Sequence, residues 1–347
     1  MEKIKQQLKA LCEADGVSGN EWEAAALAAE FLREYAPDAR IDHFGNAVGR
    51  IASADPEAET LLLDAHIDEI GMIVTSIDDK GFLKVSKCGG IDRRLLPAQM
   101  VTVHGKEKLT GIIGSKPPHL EKADERSKVP ELDDIYIDIG LNKEQAEEKV
   151  SLGDRVTFRG PFTELLGGRV TAKAIDDRAG VAAILHALEL LKGEDLGLNL
   201  AVQFTSREEI GGQGATIAAY NAGNEGRVDC SIAVDVSFAY TPDAEKHRCG
   251  KLGGGAMIGY AAALDKSMSD RLVSVAKEKE IPYSVEAMGG RSTGTNSDEI
   301  YIVREGARAG LISIPLRYMH TPVETVQLSD IEAVGRLIAE FVRAAGK

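Results

Sequence analysis

The chain has 347 residues, with 55 acidic side chains against 41 basic ones and a formal net charge of -14. Such a surface repels nucleic acid and anionic lipid, so neither is an expected partner. A hydrophobic share of 44% can bury a sizeable core, which excludes global disorder, and the length suits one large domain or two.

The first residues, MEKIKQQLKALCEADG, have the spacing of an amphipathic helix and not the apolar run of a secretory signal. EWEAAALAAEFLREYA follows with alanine and leucine at helical spacing. RIDHFGNAVGRI reads as a hairpin turning at Gly45 and Asn46. ETLLLDAH is a short apolar run, the pattern of a strand covered on both faces. From about Gly71 the texture changes to short strands and frequent turns: GMIVTSI, GFLKVSKCGG, MVTVHGKEKLTGIIGSKPP, DDIYIDIG and GDRVTFRG. One helix is expected there, near Lys143 to Val150. After Gly167 the alternation of strand and helix returns. AIDDRAGVAAILHALELLKG is a turn and a long helix, LNLAVQFTSREE a strand, GGQGATIAAYNA a turn and helix, and CSIAVDVS a strand. A helix around Ser267 to Glu280, a strand at RAGLISIP and an amphipathic helix from Leu328 to Ala345 complete the chain. The expected fold class is therefore α/β. A mixed sheet flanked by helices spans residues 1–70 and 163–347, and a small β-barrel is inserted over 71–162. No run approaches the roughly 18 apolar residues of a membrane span. Cys12, Cys88, Cys230 and Cys249 are widely spaced with no CxxC pair, which fits reduced thiols in a cytoplasmic protein.

Five stretches end an apolar strand or turn in a carboxylate or histidine: DAHID (64–68), AIDDRAG (174–180), SREEIGG (206–212), AVDVS (233–237) and RYMHTPVE (317–324). Ligands of open α/β sheets bind beyond the carboxyl ends of strands, so these stretches can converge at one edge. Alternation along a strand points Asp64, His66 and Asp68 the same way. A carboxylate two residues from His66 can hold its second ring nitrogen and support a metal-bound imidazole. The bland alternative is a strand end meeting solvent. Glu208 and Glu209 precede a glycine turn that can aim both at one cavity, one as a ligand and the other as a general base. Asp176 and Asp177 stand before a helix, where capping is the ordinary role. Asp235 ends the strand CSIAVD without an obvious capping duty. His320 lies between Pro315 and Pro322 in a rigid loop. The set is hard or borderline in character with no thiolate, which suits two divalent ions such as zinc, cobalt or manganese. Three carboxylates against four positive charges would favour a bridging hydroxide, the nucleophile of a hydrolase.

The order H-x-D, D-D-R-x-G, E-E-x-G, a strand-ending D and R-Y-x-H-[ST]-P-x-E closely resembles the M42 family of cytosolic metallo-aminopeptidases. The resemblance covers essentially the whole chain. It implies a zinc-exopeptidase-like sheet, with His66, Asp176, Glu209, Asp235 and His320 as ligands to two metal ions, zinc or cobalt and alternatively manganese. Asp176 would bridge the ions, Glu208 would be the general base and Asp68 the acid orienting His66. It also implies peptide substrates, a dimerising insertion and homo-oligomers from dimers to tetrahedral dodecamers. The chain departs from the family at GRSTGTNSDE (290–299), where serines and an asparagine interrupt a glycine-rich run and Glu299 replaces an alanine. DVSFAYTPD also lacks the frequent glycine-alanine run, so specificity stays open, with Lys251, Arg291 and Glu299 unplaced.

Two other readings compete with the aminopeptidase. A related amidohydrolase that removes N-acyl groups would not need a free α-amine. A non-catalytic assembly protein would not need every ligand candidate. His43, His104, His186 and His247 read as surface or satisfied core residues. His119, flanked by prolines, suits a subunit contact or pocket rim. No G-x-S-x-G elbow or P-loop is present. Glu69 has no evident role.

Overall fold

The computed structural model describes residues 1–55, 57–120, 128–224, 226–290 and 292–346. Helix α1 (Glu2–Glu13) buries Ile4, Leu8, Leu11 and Cys12, a stripe at helical spacing. Helix α2 (Trp22–Leu32) follows. Strands β1 (Arg40–Ile41) and β2 (Ala47–Ile51) form an antiparallel hairpin. The Asp42 carboxylate ties its turn by accepting from the N–H groups of Phe44 and Asn46. Strand β3 (Thr60–His66) is buried along its whole length.

The next six strands are β4 (Gly71–Ile77), β5 (Leu83–Cys88), β6 (Met100–His104), β7 (Lys108–Ile113), β8 (Ile137–Asp138) and β9 (Arg155–Phe158). They close into a barrel in the order β4-β5-β8-β7-β6-β9, around a core of its own that includes Met72, Leu83, Val101 and Val156. Helix α3 (Lys143–Lys149) lies among these strands, started by a capping box between Asn142 and Gln145. DDIYIDIG predicts a longer strand than the one formed. Leu132–Asp134 instead makes a tight 3-10 turn, and the N–H of Ile135 bonds back to the Leu132 carbonyl, leaving only two residues for the ladder.

The chain then returns to the large sheet with β10 (Thr163–Leu165) and β11 (Arg169–Ala172), and α4 (Ile175–Leu191) follows. After it come β12 (Asn199–Thr205), α5 (Gln213–Ala222), β13 (Cys230–Phe238), β14 (Ala256–Tyr260), α6 (Lys266–Glu278) and β15 (Tyr283–Ala287). The last elements are α7 (Ser297–Ile300), β16 (Arg308–Arg317), β17 (Glu324–Gln327) and α8 (Leu328–Ala345). The eleven-stranded sheet runs β1-β2-β12-β3-β13-β16-β17-β11-β10, with β14 pairing β16 and β15 pairing β14. The central strands β12, β3, β13 and β16 are parallel neighbours, so their carboxyl ends share one edge.

Leu61 and Leu63 pack into the large core beside α4 and α8, while Leu62 packs with Ala215 and Ile300 on the other face. The consecutive leucines are therefore the mark of a sheet covered on both sides. Replacing one of them by alanine would cost about 2–5 kcal/mol. One strand end differs from the sequence expectation. β13 does not stop at Asp235; it stays in register with β16 through Phe238. Its pairing with β3 ends earlier, at Ala233 opposite Asp64. Asp235 is thus held within a paired strand, at a place where one flank has opened.

Candidate metal centre

His66 closes β3, and its Nε2 lies 3.0 Å from Asp176 Oδ1 and 3.9 Å from Asp235 Oδ1. Its Nδ1 faces Asp68, 3.1 Å from the backbone carbonyl and 3.4 Å from the carboxylate. Two acceptors at Nδ1 favour the proton there and leave the Nε2 lone pair for a ligand. Asp68 is fully buried. It accepts from Ser18 Oγ at 2.5 Å and from the N–H groups of Glu208 (2.9 Å) and Glu209 (3.2 Å). One carboxylate therefore sets both the imidazole and the backbone of the paired glutamates.

The neighbouring aspartates divide their duties. Regular helix starts only after them, because Asp176 and Asp177 have non-helical dihedrals, and the peptide between them is cis. Asp177 takes the capping role, with Oδ1 accepting from the Gly180 N–H at 3.0 Å. Asp176 turns to the sheet edge, where its Oδ2 lies 3.4 Å from His320 Nε2. Glu209 Oε1 is 3.3 Å from the same nitrogen. His320 sits in the left-handed region at φ 61°. Glu324 braces this turn: it accepts from the His320 N–H at 2.9 Å and from the Asp176 N–H at 3.0 Å. It stands in the RYMHTPVE stretch, but nothing in the spacing reveals that it grips Asp176.

The barrel also reaches the centre. A Cβ on Gly90 would lie 2.6 Å from His320 Nδ1, and one on Gly89 would lie 3.1 Å from Glu209 Oε2. Glycine is needed at both positions because the backbone itself packs against the cluster.

Acid outweighs base here. Burial, with the charges of Asp235, Asp68 and Glu209, pushes Glu208 up to about 9 against the pull of His66. Burial and Asp176 push Asp235 up to about 8, again against His66. Burial likewise holds Glu324 well above the carboxylate range. Burial opposes charge on His320, yet the Asp176 and Glu209 carboxylates raise it to about 11. The ligand atoms of His66, Asp176 and Glu209 all lie within 4.8 Å of one another. A divalent ion fits this donor set, which offers carboxylate oxygens and imidazole nitrogens to borderline cations and is short of positive charge.

Other expectations are placed as follows. Asp64 shares the strand with His66, but its carboxylate is held by Gln203, Thr205 and Asn296. Through Asn296, the GRSTGTNSDE segment is tied to β3. Glu299 bonds Thr216, and Arg291 lies outside the described residues. Glu69 accepts from the Gly16 N–H at 3.0 Å and from Lys173 Nζ at 2.7 and 2.9 Å. Arg178 is fully buried beside it and donates to the carbonyls of Ile67, Ala14 and Leu11. His104 bonds Thr157, and His119 is exposed in a short turn. The four cysteines are free thiols.

A mixed sheet with a parallel centre, an inserted barrel and an imidazole-carboxylate cluster at its carboxyl edge is the frame of a peptidase. The family model of the M42 glutamyl aminopeptidases matches residues 45–337, and the chain belongs to the M42 peptidase family, whose members are metal-dependent aminopeptidases. A lysyl aminopeptidase of Pyrococcus furiosus is 32% identical over 331 residues, 94% of this chain and 92% of the relative. The solved aminopeptidase APDkam598 of Desulfurococcus kamchatkensis has a TM-score of 0.90 at 34% identity, covering 99% of this chain and 95% of that one. The TET1 peptidase of Pyrococcus horikoshii, described as assembling into a tetrahedron or a large octahedral shell, has a TM-score of 0.84 at 30% identity, covering 97% of this chain and 98% of that one. Among the described residues no helix is long and apolar enough to cross a membrane.

Proposed function

We propose that this aminopeptidase removes N-terminal residues from peptides with two divalent ions held by His66, Asp176, Glu209, Asp235 and His320. Zinc or cobalt suits the donors best, and manganese is the alternative. The observation that carries the reading is the place of Asp176, whose two oxygens face the Nε2 atoms of His66 and His320 at 3.0 and 3.4 Å. A carboxylate between two imidazoles is the natural bridge of a two-ion site. When bound, the ions supply positive charge that polarises a scissile carbonyl and lowers the pKa of water.

The protein's own groups do the rest. Asp68 orients His66 and fixes the turn that carries both glutamates. Glu209 is drawn to His320, whereas Glu208 has no histidine within ion-pair distance among the described residues. That leaves the Glu208 carboxylate to take a proton from the attacking water and pass it to the leaving amine. Unpaired carboxylates beside the ions would receive the free α-amine of the substrate. The free thiols fit a cytoplasmic setting. The barrel over residues 71–162 exposes Met100, Ile112 and Leu120, apolar surface suited to a homo-oligomer contact.

Metal titration tests the centre. Two equivalents of zinc or cobalt per subunit are expected, with both binding and turnover lost in Asp176→Asn. An Asp176→Asn protein that kept two equivalents and full turnover would overturn the bridging role. Hydrolysis of a dipeptide but not of its acetylated form separates the aminopeptidase from a deacylase.

A further inference from the structure

A cleft of about 790 Å³ opens beside the metal centre, lined in part by Ser237, Phe238, Met257, Glu286, Thr295 and Met319. It adjoins the centre by chain connectivity, since Ser237 follows Asp235 on β13 and Met319 precedes His320. Asp235 and Ser237 point to the same side of their strand, about 7 Å apart. That distance is comparable with an extended lysyl stem.

The walls mix apolar residues such as Met257, Val285 and Met319 with polar ones, and two acids, Glu245 at the exposed rim and Glu286 further in, stand among them. Glu286 lies on β15, where Oε1 accepts a hydrogen bond from Ser237 Oγ. Its Oε2 is buried with no hydrogen bond formed among the described residues; the Ser313 hydroxyl is the neutral group that faces the carboxyl, and no cation does. A buried acceptor without a donor is costly, and a cationic ligand group is a donor of the right sign. Burial holds this carboxyl above its usual range against the Ser237 and Ser313 hydroxyls, with no cation among its partners. The outer charges do not compete. Glu245 lies 3.7 Å from both His247 and Arg248, all three well exposed, so they offset one another.

We propose that Glu286 receives the cationic side chain of the N-terminal residue, so that the enzyme prefers lysyl and arginyl substrates. This rests on the metal centre above being where the scissile bond lies. Met257, Val285 and Met319 on the wall would hold the alkyl stem, and Glu286 would take the charge at its tip.

Kinetics of the metal-loaded enzyme on lysyl, arginyl, leucyl and glutamyl p-nitroanilides test the proposal. The kcat/KM for lysyl and arginyl substrates is expected to exceed that for leucyl about tenfold or more, and Glu286→Gln to cut the lysyl-to-leucyl ratio about tenfold. Glu286→Lys should move preference toward the glutamyl substrate. A wild-type enzyme that favours glutamyl substrates, or a ratio unmoved by Glu286→Gln, overturns the proposal. Calorimetric titration with lysinamide and leucinamide reads the cleft without turnover. Tighter lysinamide binding by wild type, lost in Glu286→Gln, supports it, and equal binding of the two amides overturns it. If wild type cleaves none of the anilides, the reading of the centre falls, and the calorimetry still decides the role of Glu286.

Discussion

Glu69 with Lys173 and Arg178, and His66 with Asp176 and Glu209, are both buried clusters of charge. Both draw on the same two segments, residues 66–69 and 173–178, and the second adds Glu209 from the turn after β12. In the first, Glu69 faces Lys173 at 2.7 Å and Arg178 at 3.7 Å, with Asp15 3.6 Å from the lysine. Glu69 meets two bases, and Asp15, held also by Lys108 at 2.9 Å, supplies the second acid, so no carboxylate is left without a cation. In the second, carboxylates outnumber histidines, and Glu208 and Asp235 are pushed up to about 9 and about 8. A buried cluster that balances itself is a joint of the scaffold. One that stays acidic is fitted to a cation from outside.

Substitutions can break this contrast. The largest effect is expected for Glu208→Gln, with turnover falling roughly a thousandfold while metal content, measured by atomic emission, stays that of wild type. Substantial activity in that variant would falsify its role as base. Next comes the balanced cluster. Lys173→Met strands a buried carboxylate and should cost about 3–5 kcal/mol in denaturant unfolding, and Glu69→Gln together with Lys173→Met should recover part of that loss. A double variant no better than the single one would mean that the cluster is not a closed pair. Chelation should act on the other cluster alone. Removing metal should lower the stability of wild type by roughly 3 kcal/mol for each ion that is bound at a hundredfold excess over its Kd. Asp176→Asn should melt at the same temperature with or without chelator.

The smallest effect concerns two histidines, His104 at the edge of the first cluster, 3.8 Å from Asp15, and His186 away from both. Burial holds His104 and His186 below the usual histidine value. Each favours its neutral form in the folded state, so the unfolded chain binds more protons. The stability from these groups is therefore present above about pH 6.5 and is lost as pH falls through the lowered folded values. Melting curves between about pH 5 and 8 should show a shallower acid slope for His186→Gln than for wild type.

Much of the frame is written locally. Three leucines in a row can be buried only if a sheet is covered on both faces, and β3 is such a strand. The final helix is legible from its spacing alone, and its observed bounds are Leu328 and Ala345. The ends of elements are less legible, because partners set them. β13 runs past Asp235 as long as β16 stays beside it, and β8 is short because Ile135 turns back to Leu132. The site divides in the same way. His66 and the acidic pairs stand out as polar breaks in apolar runs. The separate duties of Asp176 and Asp177 follow from a kink at the start of α4, which no spacing displays. Glu324 and Ser18 contribute through single bonds to distant residues, Asp176 and Asp68. Glu286 looks like an ordinary polar residue of an edge strand until Ser237 and the cleft are placed beside it.

Gly89 and Gly90 belong to the barrel, yet they press on Glu209 and His320. The insertion and the sheet edge therefore share a wall. A tilt of the barrel by a fraction of an ångström changes the room left for two proposed ligands at once. An added methyl at Gly90 would press directly on the His320 ring, so a change on the barrel side reaches the cluster without any change in the sheet.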